Sequence, residues 1–433
     1  MVILSTLAQP ITFDESYSEF LNYNLSIQQY LAKKEQAKLR VSQSMGRAFP
    51  QLYATIQRDH NDLNGSRQAS ATSELEETLL NYNPTNARRA KFTLSQVLFD
   101  MSLFDEISLR NMAVHQSNLE TIQVIQESSI QFATVFYSIA KNQYLKRALN
   151  QRKEMYETVI KDLDSKQLLK LMTFEDTYSI RSEQLKTIEE SLTVNKDLHL
   201  GILDYHHMLD ISPINHELKL DVPKLDLEEI DEFNAIDGIT FAYNNRADLM
   251  LLNHQIDILI KERDSKLTLF KPKANFTTSY GMTNEDSFKF KTNNDRDFSW
   301  SIDVTTPLFD GYSSNAIGEE YDASIDELYL QIAQLKNTIR RDITDALFDI
   351  NIAKATYLNN IKRTKFQRER LRLIKIKRDV NQAVDADVSI IRSDYKQAEV
   401  NERIASILLI EKIVTYYLKI GKIPLEASAN EPG

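Results

Sequence analysis

The apolar positions divide the chain into long stretches of helical period and short stretches of strict alternation. Ile325, Leu328, Ile332, Leu335, Ile339, Ile343, Ala346, Ile350, Ala353 and Tyr357 recur at steps of three and four. That spacing puts one apolar face on an amphipathic or coiled-coil helix. Proline shows how far such helices can run. None lies between Pro84 and Pro213, or between Pro307 and Pro424. A proline inside a helix costs ~3 kcal/mol, so each gap has room for a very long helix. The pattern predicts helices over roughly 100–165 and roughly 311–380, each ~100 Å long at ~1.5 Å per residue.

Between Pro272 and Gly311 the period falls to two. Ala274, Phe276, Thr278 and Tyr280 alternate with Asn275, Thr277 and Ser279. Phe298, Trp300, Ile302 and Val304 alternate with Ser299, Ser301, Asp303 and Thr305. The second run is a strand with one apolar and one polar face. An earlier hairpin, at about 50–97, repeats the pattern less cleanly. There Leu52, Ala54 and Ile56 oppose Tyr53, Thr55 and Gln57, and Ala90, Phe92 and Leu94 oppose Lys91, Thr93 and Ser95. Strands of about ten residues, apolar on one side and polar on the other, suit a membrane barrel with a wet lumen. A half-buried soluble sheet would show the same alternation. Four strands are too few to close a barrel, since bacterial barrels have at least about eight. A barrel would have to borrow strands from further copies of the chain.

The chain also repeats itself. Pro50 recurs as Pro272, Leu98-Phe99-Asp100 as Leu308-Phe309-Asp310, Ile122 and Ile125 as Ile332 and Leu335, Asp176 as Asp387, and Pro213 as Pro424. This predicts a tail at 1–12, a first repeat at 13–212, a linker at 213–237, a second repeat at 238–421 and a C-terminal tail at 422–433. Each repeat holds a helix, a hairpin (about 50–97 and about 272–306) and a long helix pair. The short apolar start, Met1 to Gln9, reads either as the remnant of a signal peptide or as a simple tail.

With these elements in place, the sequence resembles the outer membrane factor (TolC) family from about Phe13 to Gly421. The most specific piece is Trp300-Ser301-Ile302-Asp303-Val304-Thr305-Thr306-Pro307-Leu308-Phe309-Asp310-Gly311, which is similar to that family's strand and turn before a long helix. Val97-Leu98-Phe99-Asp100 is the matching piece of the first repeat, with valine for proline. Asn245-Arg246-Ala247-Asp248-Leu249 is similar to the family's helix start, with alanine for proline. The resemblance implies a mainly α fold with a membrane β part. Three protomers would each give four strands to a 12-stranded barrel continuous with an α-helical tunnel through the periplasm. It implies a passive exit duct for efflux or type I secretion in the bacterial outer membrane. The partners implied are a periplasmic adaptor (membrane fusion) protein, an inner-membrane transporter and outer-membrane lipid. Phe298, Trp300, Ile302 and Val304 would face that lipid.

The helix pairs must turn near 166–176 and near 379–387. Thr173 precedes Asp176 at a capping-box spacing, Asp385 is a candidate N-cap, and Asp387-Val388 and Asp176-Thr177 partly meet the family's pattern after the helical tip. Capping alone explains these aspartates. The functional reading, which the resemblance implies, is a periplasmic constriction held around Thr173, Asp176, Lys377, Arg378, Asp379, Asp385 and Asp387.

Composition narrows the rest. The 433 residues carry a net charge of −10, which argues against nucleic acid as a partner, because phosphate binding needs a basic face. The absence of cysteine excludes disulfides, thiolate metal sites and a cysteine nucleophile. No run of 18 apolar residues predicts a membrane helix. His199 and His206 lie seven apart, too far to chelate one ion together, and with His207 they read as a solvated helix end. No phosphate loop, serine nucleophile elbow or zinc-protease motif is present. The expectation is a non-enzyme without metal or cofactor. The rival readings are a soluble coiled-coil scaffold, which leaves the strands and the duplication unexplained, and a receptor or adhesin barrel, which needs no long helices.

Overall fold

The computed structural model describes residues 10–60, 86–168, 174–211, 218–225, 233–268, 270–284, 296–380, 382–383 and 385–422. Its elements run in the order α1 (Phe13–Tyr23), α2 (Leu25–Gly46), β1 (Gln51–His60), β2 (Asn86–Asp100), α3 (Met101–Leu168) and α4 (Phe174–Met208). There follow α5 (Ala235–Asn245), α6 (Ala247–Leu267), β3 (Lys273–Asn284), β4 (Arg296–Thr305), α7 (Ser313–Asp379) and α8 (Asp385–Lys419). The two long helices have 68 and 67 residues, and each is followed by one of 35. The order helix, helix, two strands, long helix, shorter helix therefore occurs twice.

The chain forms two compact units: Met1–Lys33, Asn118–Asn253 and Leu330–Gly433, and Lys34–Ser117 with His254–Tyr329. The first is a helical unit, and two of its cores show how its helices are joined. In one, Phe13, Tyr17 and Phe20 of α1 stack among Phe132, Phe136 and Tyr137 of α3, with Phe20 and Phe132 centroids 4.5 Å apart. Two pairs of buried hydroxyls there partner each other, as burial favours. Tyr17 and Ser129 are 2.7 Å apart, and Tyr205 and Ser16 2.5 Å. Burial pushes the Tyr17 and Tyr205 hydroxyls up to about 12, against the opposing pull of Ser129 and Ser16. The other core joins Ile339, Ile343 and Ile350 of α7 to Leu409 and Tyr416 of α8 and Ala242 of α5. Gly238 lets α5 approach so closely that a Cβ there would collide with the Tyr416 hydroxyl.

Each repeat starts on a broken helix. Asn24 ends α1 in an extended conformation and its side chain accepts from the Ile27 amide, 3.2 Å away. Arg246 ends α5, also extended, and its guanidinium donates to Asp248 and to the Lys419 carbonyl. The second break falls within Asn245–Leu249, the segment similar to a family helix start.

Two readings need correction. His206 is buried against Tyr205 rather than solvated, because its neighbour on α4 belongs to the aromatic core. The first Leu-Phe-Asp is not a turn like the second: β2 continues to Asp100, which pairs with Lys273, with an irregularity between Val97 and Phe99. Pro307 accounts for the contrast. It has no amide to offer a ladder and it restricts Thr306, so β4 stops at Thr305, whereas Val97 allows pairing to go on.

Candidate functional site: a two-faced sheet and two helical tips

In the second unit the four strands form one antiparallel sheet, in the order β1-β2-β3-β4. Its register carries the alternation of single strands across the whole sheet. Leu52, Leu94, Thr278 and Trp300 form one cross-strand row, and Ala54, Phe92, Tyr280 and Phe298 the next. Gln51, Ser95, Thr277 and Ser301 form a row on the opposite face, followed by Tyr53, Thr93, Ser279 and Ser299. Side chains alternate along every strand, and a one-residue slip would reverse every one of them. The registers therefore give one largely apolar face and one largely polar face. On the polar face the Ser279 and Ser299 hydroxyls are 2.7 Å apart, and Ser301 donates to Asp303 at 2.9 Å. Phe298, Trp300, Ile302 and Val304 lie together on the other face, all exposed. Every residue of β4 is exposed, and among the described residues β1 and β4 each pair on one side only. The sheet of one chain is open.

The strands pass into the long helices through aspartates. Asp100 accepts from the Ser102 and Leu103 amides at 2.9 and 3.3 Å, satisfying donors at the start of α3. Asp310 accepts from the Ser314 amide at 2.8 Å and from the Ser314 hydroxyl. Those hydrogen bonds hold the Asp310 carboxyl below its ordinary range. Gly311 and Tyr312 both have positive φ, 70° and 66°. That sharp turn follows Pro307 and has no counterpart after Val97. Sequence reading found the repeated Leu-Phe-Asp but missed that its aspartates are helix caps.

It also missed Asp105. Lys271 and Lys261 donate to its two oxygens at 2.6 and 3.1 Å, and Ser265 donates at 2.9 Å. Desolvation pushes this carboxyl up, but the hydrogen bonds from Lys271, Ser265 and Lys261 together outweigh it and bring the pKa from 3.8 down to about 2. These partners lie more than 150 positions away in sequence, and no local pattern marks them.

At the second helical tip, Lys377 and Arg378 occupy the last turn of α7, and Asp385 and Asp387 lie in the first turn of α8. Basic groups at a helix C-terminus and acidic groups at an N-terminus both suit the helix dipole. Arg378 pairs with its neighbour Asp379 at 2.7 Å. At the first tip Asp176 lies in the first turn of α4. Thr173 and the side chains of Asp176 and Asp385 lie outside the described residues. Among the described residues no cluster of His, Cys, Asp and Glu could hold a metal, and no helix is long and apolar enough to cross a membrane.

No protein-family model and no curated protein sequence matches the chain. Solved structures do. The outer-membrane channel OprN aligns with a TM-score of 0.72 at 12% identity, over 95% of this chain and 90% of its own. The Campylobacter jejuni CmeC outer membrane channel aligns at 0.73 and 13%, over 94% and 85%. The outer membrane protein VceC from Vibrio cholerae aligns at 0.68 and 11%, over 94% and 95%. This chain has the outer-membrane channel fold. The likeness spans both repeats and nearly the full length of those proteins. Within the outer-membrane channel fold the four strands form an open sheet, and the rest of the described chain is mainly helical.

Proposed function

We propose that the chain is one protomer of a trimeric outer-membrane channel of the outer membrane factor (TolC) type. Three copies contribute four strands each to a 12-stranded barrel, and their long helices line a tunnel through the periplasm. The observation that supports this most is the open sheet whose registers separate an apolar from a polar face. An open edge in lipid leaves backbone N–H and C=O groups unpaired at several kcal/mol each. Neighbouring copies can supply the missing strands. The apolar row of Phe298, Trp300, Ile302 and Val304 then faces lipid, and the polar rows line a water-filled pore. Such a duct has no catalytic work to do and needs no cofactor. It passes substrate that an inner-membrane transporter and a periplasmic adaptor deliver, in an efflux pump or a type I secretion system. In this reading the chain is a duplicated unit, 13–212 and 238–421, joined by the 213–237 linker. The tips around Lys377, Arg378, Asp379, Asp385 and Asp387, with Thr173 and Asp176 at the other, form the periplasmic constriction.

The test is reconstitution of the detergent-purified protein into planar bilayers. Discrete conductance steps are expected, with the protein in the outer-membrane fraction and released only by detergent. A protein that stays soluble without detergent and forms no pores would instead be the coiled-coil scaffold.

A further inference from the structure

The registers of the sheet also sort its charges. Asp59, Asp297 and Asp303 fall at the alternate positions, on the polar face with Ser299 and Ser301. Arg89, Lys91 and the paired Asp100 and Lys273 fall there too. Among the described strand residues the apolar face takes no acid. Its formal charges are all arginine: Arg58, Arg88 and Arg296.

Their position is as one-sided as their sign. Arg58 is the direct partner of Arg88, and Asn284 continues their row on β3. Arg296 stands one row nearer the helices, in line with Met282, Ala90 and Ile56. The row below it is Ala54, Phe92, Tyr280 and Phe298, so aromatic residues border the arginines. All this lies at the end of the sheet remote from α3 and α7. From Ala274, at the helix end of β3, to Asn284 the strand climbs ~25 Å, at ~3.3 Å per residue and a barrel tilt of ~40°. That is about the height of the apolar band of a membrane barrel. The arginines therefore mark its far edge, where an arginine on the lipid face costs least. Two arginines directly opposite each other repel. Arg58 and Arg296 are exposed and form no ion pair among the described residues, so their counter-charge has to come from outside the sheet.

We propose that Arg58, Arg88 and Arg296 form a binding site for the phosphate groups of anionic lipid in the leaflet remote from the periplasm. A phosphate between the opposed Arg58 and Arg88 replaces their repulsion with a shared attraction. A guanidinium can donate two parallel hydrogen bonds to phosphate oxygens, which a lysine cannot match. Arg296, one row lower, has a stem long enough to lie along apolar surface while its charged end reaches the headgroup level. The apolar and aromatic rows directly below select a ligand with acyl chains over a free ion. The inference rests on the outer-membrane channel reading and names the lipid chemistry that its apolar face takes.

The test offers the full-length protein, purified in mild detergent, mixed micelles containing either phosphatidic acid or phosphatidylcholine, and counts bound lipid by native mass spectrometry. The parent should bind phosphatidic acid about tenfold more tightly than phosphatidylcholine. Arg58→Gln with Arg88→Gln and Arg296→Gln should bring the two lipids to within about twofold. Arg89→Gln with Lys91→Gln, on the polar face, should keep the preference. An assembled parent without preference, a preference that survives the triple change, or equal loss in both variants overturns the lipid site and leaves the channel reading standing. Displacement of phosphatidic acid by inorganic phosphate, but not by chloride at equal ionic strength, makes the cluster a free-phosphate site and also overturns it. A folded single chain that needs no detergent overturns the channel reading itself, and the lipid site with it. If the triple variant fails to assemble, Arg88→Gln alone decides: it should lower the preference about threefold, and an unchanged preference overturns the site.

Discussion

The helical unit buries its largest side chains within one chain, whereas the sheet leaves its largest side chains uncovered. Phe132, Phe136, Ile139, Ile339 and Ile343 are all 0% exposed. Phe298, Trp300, Ile302 and Val304 are 54–67% exposed although they share one face in register. The same chain can complete a core, so the open sheet is not a failure of packing. Exposed apolar patches of this kind mark an interaction surface, and the alternation with serine, threonine and aspartate selects a surface with water on its other side. The first region buries its large side chains within the chain. In the proposed channel the second is completed by lipid and by strands of further copies.

The sharpest way to break this contrast is to remove a side chain from each region. Phe132→Ala should cost about 3–5 kcal/mol, as deletion of a buried aromatic does, and should lower the helical unfolding temperature by circular dichroism whether or not lipid is present. A loss seen only in membranes would erase the distinction between the two regions. Next in size, Ile302→Arg should cost about 2–4 kcal/mol on a lipid face at mid-bilayer, seen as lost outer-membrane assembly with the helices still folded in detergent. Ser301→Arg, one residue along the strand, should assemble nearly as the parent does. Equal damage from both changes would mean that the facing is wrong.

A smaller effect separates the two units by pH. The folded pKa of Asp105 lies below its unfolded value, so its contribution to stability is present above pH ~4 and is lost as pH falls toward ~2. The second unit of the parent should therefore lose hydrogen-exchange protection between pH 4 and 2 more steeply than in Asp105→Asn, while the aromatic core of the first unit behaves alike in both. Parallel pH profiles would remove Asp105 from the account. The smallest expected effect on stability is at the tips. If charged links there hold a constriction, Arg378→Ser with Asp385→Ala should raise single-channel conductance without changing assembly. Unchanged conductance in a correctly assembled channel would leave these residues as helix-end charges only.

The parts of this molecule that were legible in its sequence are those fixed by local period. Two proline-free gaps and a three-four apolar repeat place α3 and α7 to within about three residues of their observed ends. Alternation from Phe298 to Val304 gives β4 directly, because nothing in that strand competes with a period of two. The first hairpin was fainter, since Tyr53 and Arg58 blur its faces, and only its pairing with β3 makes the apolar row clear. What could not be read depends on distant partners. Asp105 meets Lys261 and Lys271 across two elements. His206 is buried because Tyr205 belongs to a core begun by Phe13 and Tyr17. The extension of β2 past Val97 follows from the partner that β3 offers, and the missing proline was its only local sign. The tips were legible as turns, because helix-end charges are a local signal, but any link between copies is not written in one chain.

The most direct measurement is the mass of the particle purified in mild detergent, by mass photometry with an empty-micelle control. The open four-stranded sheet requires three chains of 50.1 kDa if the barrel has twelve strands, so a single species of three copies is expected. A folded particle containing one chain would contradict the account at its centre, because that chain would have to shelter both sheet edges by itself.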